Sequence, residues 1–119
     1  MAFALREGLS ALEGAGVRAP EPRLAGGGTS REPWRRLLAD VLARTLLVLP
    51  PSVAGVASAR GAALLAGIAV GAYRSARETL ALAPEPVGTV VPEDDSPYEE
   101  AYTRYRELYG RIGTGRSRP

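Results

Sequence analysis

Residues 23–30, Arg23-Leu24-Ala25-Gly26-Gly27-Gly28-Thr29-Ser30, decide how the chain is read. Arg23-Leu24-Ala25 is a brief apolar run of the kind that forms a short buried strand, and three glycines then break it. Thr29 and Ser30 are favoured N-cap residues, and Glu32 with Pro33 suits a first helical turn. Trp34, Leu37, Leu38, Val41 and Leu42 follow at helical spacing, which predicts a helix to about Arg44. The stretch therefore reads as strand, glycine loop, helix. Glycines let a backbone come close to a bulky ligand, and the free N–H groups and positive dipole end of the helix behind them favour phosphate. Open α/β sheets bind ligands at such strand-to-helix loops. This is not a Walker A loop, because no lysine follows, and not GxGxxG, because Arg31 takes the place of the last glycine. A plain strand-to-helix turn that needs a glycine at positive φ explains the same residues equally well.

Working outward, Ala2, Leu5, Leu9 and Leu12 line one face of a helix over 2–15 that Gly14 and Gly16 end. Residues 17–22 are a connector with two prolines. Leu46-Leu47-Val48-Leu49, closed by Pro50-Pro51, reads as a second buried strand. A helix rich in small residues is expected over 57–72. Its Ala59, Ala63, Ala66 and Gly67 leave room for something to approach closely. A short helix over 75–82 and an edge strand over 87–91 follow. The last helix is expected to start at Ser96-Pro97, with Tyr98, Tyr102, Tyr105 and Tyr109 on one packing face, and to fray from Gly110. Glu93-Asp94-Asp95 reads as a solvated acidic loop. The order is α/β, helix-rich, with so little sheet and such open strand edges that it suggests part of a larger fold.

Composition narrows the chemistry. The 119 residues hold 45% hydrophobic and 24% charged side chains, enough for one domain with a core. Cysteine and histidine are absent, which excludes disulfides, thiolate or imidazole metal sites, and Ser-His-Asp or Cys-His catalysis within the chain. All 15 basic residues are arginine. With lysine, asparagine and glutamine also absent, this reads as the coding bias of a GC-rich genome. The net charge is +2, and the arginines are spread along the chain among glutamates, so no nucleic-acid partner is expected. The most apolar stretch, 61–73, falls short of the ~20 residues that span a bilayer, so no membrane partner and a cytoplasmic location are expected.

Three blocks, AFALREGLSAL from Ala2, RLAGGGTSREPWRRLLADVLART from Arg23, and VASARGAALLAGIAVGAY from Val56, together resemble the C-terminal part of the FGGY carbohydrate kinases, the xylulokinases in particular. The Tyr-rich ending PEDDSPYEEAYTRYRELYGRI is similar to the terminal helix of that group. The resemblance covers residues 2–112; residues 113–119 read as a disordered tail.

The resemblance implies the C-terminal part of an actin/hexokinase-superfamily (ribonuclease H-like) kinase domain, helix-rich with a few short strands. The implied activity is transfer of the ATP γ-phosphoryl group, with Mg²⁺, to a sugar hydroxyl such as that of xylulose. Gly26, Gly27 and Gly28 match the family's adenosine motif, Thr29 and Ser30 would cap the helix behind it, and Arg31 lies where relatives place polar side chains near adenine. Gly27 is where an added Cβ is expected to stop the nucleotide's approach. Trp34 is expected behind the loop. Val56 departs from the acidic residue that relatives often carry before the small-residue helix. The family's sugar pocket and catalytic aspartate lie upstream of this region, so the chain assigns itself no catalytic residue and no metal ligand. A truncated kinase, a mis-called start or one part of a split kinase would each give this sequence. The expected partners are ATP or ADP, and either a missing upstream kinase domain or a second copy of the chain. The alternative is a small non-enzymatic α/β module that uses its apolar faces to bind protein.

Overall fold

The computed structural model describes residues 1–93 and 97–113. Asp94, Asp95 and the expected cap Ser96, together with residues 114–119, lie outside them, as does the side chain of Tyr109. The described part is a small mixed α/β fold, helix-rich, around one three-stranded sheet.

The centre is the unit that the glycine stretch announces. Strand β1 (Arg23–Leu24) passes through a 3₁₀ turn (Gly27–Ser30) into helix α2 (Glu32–Leu42), which returns the chain to strand β2 (Leu46–Val48). Strand β2 lies parallel to β1, with Arg23 opposite Leu47 and Leu24 opposite Val48. Strand β3 (Gly88–Val90) adds antiparallel to the other side of β2, with Leu46 opposite Val90 and Val48 opposite Gly88. The central position of β2 explains its unbroken apolar run, since both of its edges are paired and its Leu46 is wholly buried. Leu24, Leu38, Ala39 and Leu46 form the core, with Trp34, Leu42, Val48 and Val90 packed against it.

Helix α1 (Ala2–Gly14) packs on α2. Between β2 and β3 come α3 (Pro51–Ala54), α4 (Ala57–Ala69) and α5 (Ala76–Leu80); α6 (Glu99–Gly113) closes the described chain. Helix α3 is an extra turn that begins at the Pro50-Pro51 pair expected only to end the strand. Helix α5 starts where Ser75 Oγ accepts from the Glu78 N–H at 3.4 Å, a side-chain cap of the usual kind. No helix among the described residues is long and apolar enough to cross a membrane.

Five expectations need correction. Thr29 and Ser30 do not cap α2. Their hydroxyls turn back into the 3₁₀ turn, Thr29 Oγ1 donating to the Gly26 carbonyl at 2.7 Å and Ser30 Oγ to that of Gly27 at 2.9 Å, and Arg31 is the flanking residue of α2. Positive φ falls on Gly26 (97°) and not on Gly27. Helix α2 stops at Leu42 because Ala43 adopts a left-handed conformation and the Arg44 N–H returns to the Ala39 carbonyl at 3.2 Å. Helix α6 runs through Gly110 to Gly113. On the small face of α4 the ring of Tyr73 lies over Gly67, but Ala59, Ala63 and Ala66 are exposed rather than closely approached.

Candidate functional site

Because β1 and β2 run in parallel, the segments that leave their carboxyl ends diverge, and a groove opens between them. One wall is the glycine turn, with Gly26, Gly27, Thr29 and Ser30; another is the end of β2 and α3, with Leu49 and Ala54; the β3 strand and its flanks, 87–91, form the third. The groove has a volume of about 650 Å³. Two backbone hydrogen bonds hold the walls in place. The Gly26 N–H donates to the Ala54 carbonyl at 2.7 Å, and the Val87 N–H donates to the Val48 carbonyl at 2.8 Å.

Gly26 needs to be glycine on backbone grounds. Its φ of 97° and ψ of 157° lie in a region that side chains other than glycine's scarcely enter. An added Cβ at Gly26 or Gly27 would meet nothing within 4 Å. Both residues therefore bare their backbone to open space, which suits the close approach of a flat or charged ligand. Gly28 is different. A Cβ there would lie 3.6 Å from Trp34 Nε1, so Gly28 faces the indole that backs the turn rather than the groove.

Of the six residues expected to bind nucleotide, the structure thus brings Gly26, Gly27, Thr29 and Ser30 to the groove and turns Gly28 away from it. Arg31 is exposed and does not line the groove. The polar side chains that do reach it from α2 are Glu32, Arg35 and Arg36. Arg36 grips Glu32 one helical turn back, its Nη2 2.8 Å and its Nε 3.1 Å from Oε1. The hydrogen bond from Arg36 holds the Glu32 carboxyl below its usual pKa, and Arg36 is raised in turn. The pair is exposed and largely cancels its own charge. Arg35 instead donates from Nη1 to the Thr29 carbonyl at 3.2 Å.

Sequence reasoning missed Arg35, although a signal was present. Arg35 stands three and four residues before Leu38 and Ala39, two of the three buried positions of α2, so helical spacing puts a cation beside the core face. The third wall was legible only as an edge strand, because nothing local says that 87–91 closes a groove begun some sixty residues earlier.

The residues fit a nucleotide better than they fit its metal. The bare glycine backbone and Arg35 suit phosphate or a flat base. No group of three or more carboxylates gathers to hold a cation among the described residues, and Glu32 is already engaged by Arg36. No protein-family model matches the chain, and no curated protein matches it.

Proposed function

We propose that the chain is the nucleotide-binding segment of an ATP-dependent sugar kinase of the FGGY, xylulokinase-like kind, placed in the cytoplasm, and that it positions ATP while the sugar and its base are held elsewhere. The single observation that carries this reading is the glycine turn at the carboxyl ends of two parallel strands, facing a groove of about 650 Å³. That volume lies within the usual range for small-molecule sites. Gly26 and Gly27 would offer backbone to the nucleotide, Thr29 and Ser30 would stiffen the turn through their hydrogen bonds, and the apolar end of β2 would take the flatter part of the ligand. ATP supplies the phosphoryl group. This chain contributes orientation, and no cluster of Mg²⁺ ligands gathers among its described residues.

The test is an amide-resolved NMR titration of the 119-residue protein with ADP, followed by an assay for sugar-dependent ADP release. With half a cleft, an affinity near 1 mM, about −4 kcal/mol, is expected. ADP should shift the amides of Gly26, Gly27, Thr29 and Ser30, and xylulose should elicit no turnover from the chain alone. Silence of those amides at saturating ADP would overturn the nucleotide reading, and sugar-dependent turnover would overturn the division of labour. Exposed apolar residues on α4 favour a second reading, a protein-interaction module, which predicts that a partner shifts α4 amides while ADP shifts none.

A further inference from the structure

We propose that Arg35, rather than Arg31, anchors the phosphate groups of a nucleoside diphosphate or triphosphate in the groove; the inference rests on the nucleotide reading above. Three observations converge on this side chain. First, it is built into the wall. Arg35 is only partly exposed, springs from beside the core face of α2, and is tied by Nη1 to the Thr29 carbonyl, so its guanidinium is positioned by the same turn that exposes Gly26 and Gly27. Arg31 is exposed and outside the groove.

Second, its hydrogen bonding is incomplete. The Arg35 Nε–H is buried and has no acceptor. An unmet donor on a charged group is costly to bury, and a phosphate oxygen is the acceptor that a planar guanidinium matches best. A modest swing of the side chain would present its fork to a bound phosphate while Gly26 and Gly27 leave room beside it.

Third, no ion pair engages it among the described residues. Arg6, Arg36, Arg44, Arg104 and Arg106 each pair with a glutamate at 2.7–3.6 Å. Within the groove Glu32 and Arg36 offset one another, which leaves the guanidinium of Arg35 as the net charge presented to a ligand. A phosphate chain therefore has one favoured end of the groove, and the apolar wall made by Leu49, Ala54 and Val87 is left for the nucleoside.

The experiment titrates the 119-residue protein with ADP, adenosine and inorganic pyrophosphate, with groove amides as the readout, in the parent and in Arg35→Ala, Arg35→Gln and Arg31→Ala. Loss of charged hydrogen bonds predicts that Arg35→Ala weakens ADP and pyrophosphate by about 10- to 100-fold, leaves adenosine unchanged, and that Arg31→Ala changes none of them. Arg35→Gln keeps a donor for Thr29 and should show the same loss, which reads the effect if Arg35→Ala fails to fold. A folded Arg35 variant that binds ADP and pyrophosphate as the parent does overturns the inference and leaves the nucleotide reading standing. Arg35-dependent pyrophosphate binding without any response to ADP or adenosine upholds a phosphate site and sinks the nucleotide reading. If no probe moves the groove amides, both fall.

Discussion

The guanidinium of Arg6 on α1 lies 4.0 Å from the centre of the Tyr102 ring on α6. The same tyrosine donates its hydroxyl hydrogen bond to the Glu7 carboxylate, and the Phe3 ring lies 5.7 Å from Tyr102 and 5.5 Å from Tyr105. Ion pairs at both ends, Arg6 with Glu99 at 2.7 Å and Arg106 with Glu7 at 3.3 Å, complete the contact. Helix α6 is thus fastened to α1 by side chains centred on one buried tyrosine, which is what the tyrosine spacing on a single face foretold for Tyr102 and Tyr105.

Removing that tyrosine should loosen α6. Tyr102→Phe forfeits one hydrogen bond to a carboxylate and should lower stability by about 1–3 kcal/mol, whereas Tyr102→Ala also forfeits the ring and should cost about 3–5 kcal/mol. Urea unfolding midpoints measure both. Burial first, and then the bond to Glu7, raise the Tyr102 pKa above its ordinary value. The sign follows: the folded protein holds this proton more tightly than the unfolded chain, so the contribution is intact below about pH 10 and is lost as pH rises through the folded pKa. Alkaline loss of stability should be smaller in Tyr102→Phe. An identical alkaline profile in the two proteins would place the effect elsewhere.

Helix α4 should behave as an uncovered apolar surface. Leu65 is 66% exposed and Val70 81% exposed, with the alanines between them open to solvent. Exposed patches of this kind bind hydrophobic dyes or associate. The protein should therefore bind such a dye or show concentration-dependent sedimentation, and the double substitution Leu65→Glu with Val70→Glu should abolish either behaviour. Because neither residue is buried, the unfolding midpoint should move by no more than about 0.5 kcal/mol equivalent. A monomeric, dye-silent parent would contradict the expectation.

The sequence disclosed the local part of this architecture and withheld the non-local part. Gly-Gly-Gly between an apolar run and Trp34 was enough to place β1, the turn and α2, because each signal acts over a few residues. Which glycine carries the strain was not legible, since Gly26, Gly27 and Gly28 are identical in composition and differ only in what lies around them: Ala54 for Gly26, open space for Gly27, Trp34 for Gly28. Helical spacing signalled that Arg35 lies beside the core face, but its bond to the Thr29 carbonyl depends on how the turn folds back toward α2 and was not legible. Thr29 and Ser30 misled because a hydroxyl that can cap a helix can equally bond a carbonyl three residues back, and the 3₁₀ turn takes the second option.

Ala43 offers a gain in stability. It ends α2 at φ 50° and ψ 46°, a left-handed conformation that a Cβ disfavours. Glycine is the usual residue at such a position. Ala43→Gly removes about 1–2 kcal/mol of local strain and returns about 0.4–1 kcal/mol through the looser unfolded chain. The net expectation is a more stable protein by up to about 1.6 kcal/mol, read as a higher urea midpoint with an unchanged slope. The groove and its ADP response should be untouched, since Ala43 lies at the far end of α2.

The glycine turn gives the sharpest contrast, because two adjacent residues should fail for different reasons. At Gly26 a Cβ meets no neighbour, but φ 97° with ψ 157° is nearly inaccessible to alanine, so Gly26→Ala should lose about 1–3 kcal/mol from backbone strain alone. The Gly26 N–H bond to Ala54 and the Thr29 hydroxyl bond to the Gly26 carbonyl should weaken with it, because both depend on that backbone orientation. At Gly27 φ is not positive and the space is also open, so Gly27→Ala should fold with a midpoint near the parent's. Gly27→Val then asks the ligand question separately. Its side chain projects from a groove-lining residue without straining the turn, and it should block nucleotide approach while the fold persists. The measurement pairs urea unfolding with the ADP titration for all three variants, with Glu99→Ala on α6 as a control for the ADP response alone, since that residue pairs with Arg6. Stability lost only at Gly26 and ADP response lost at Gly27→Val would assign the first glycine to the turn and the second to the ligand. A folded Gly27→Val that responds to ADP as the parent does would reduce the whole stretch to a strand-to-helix turn.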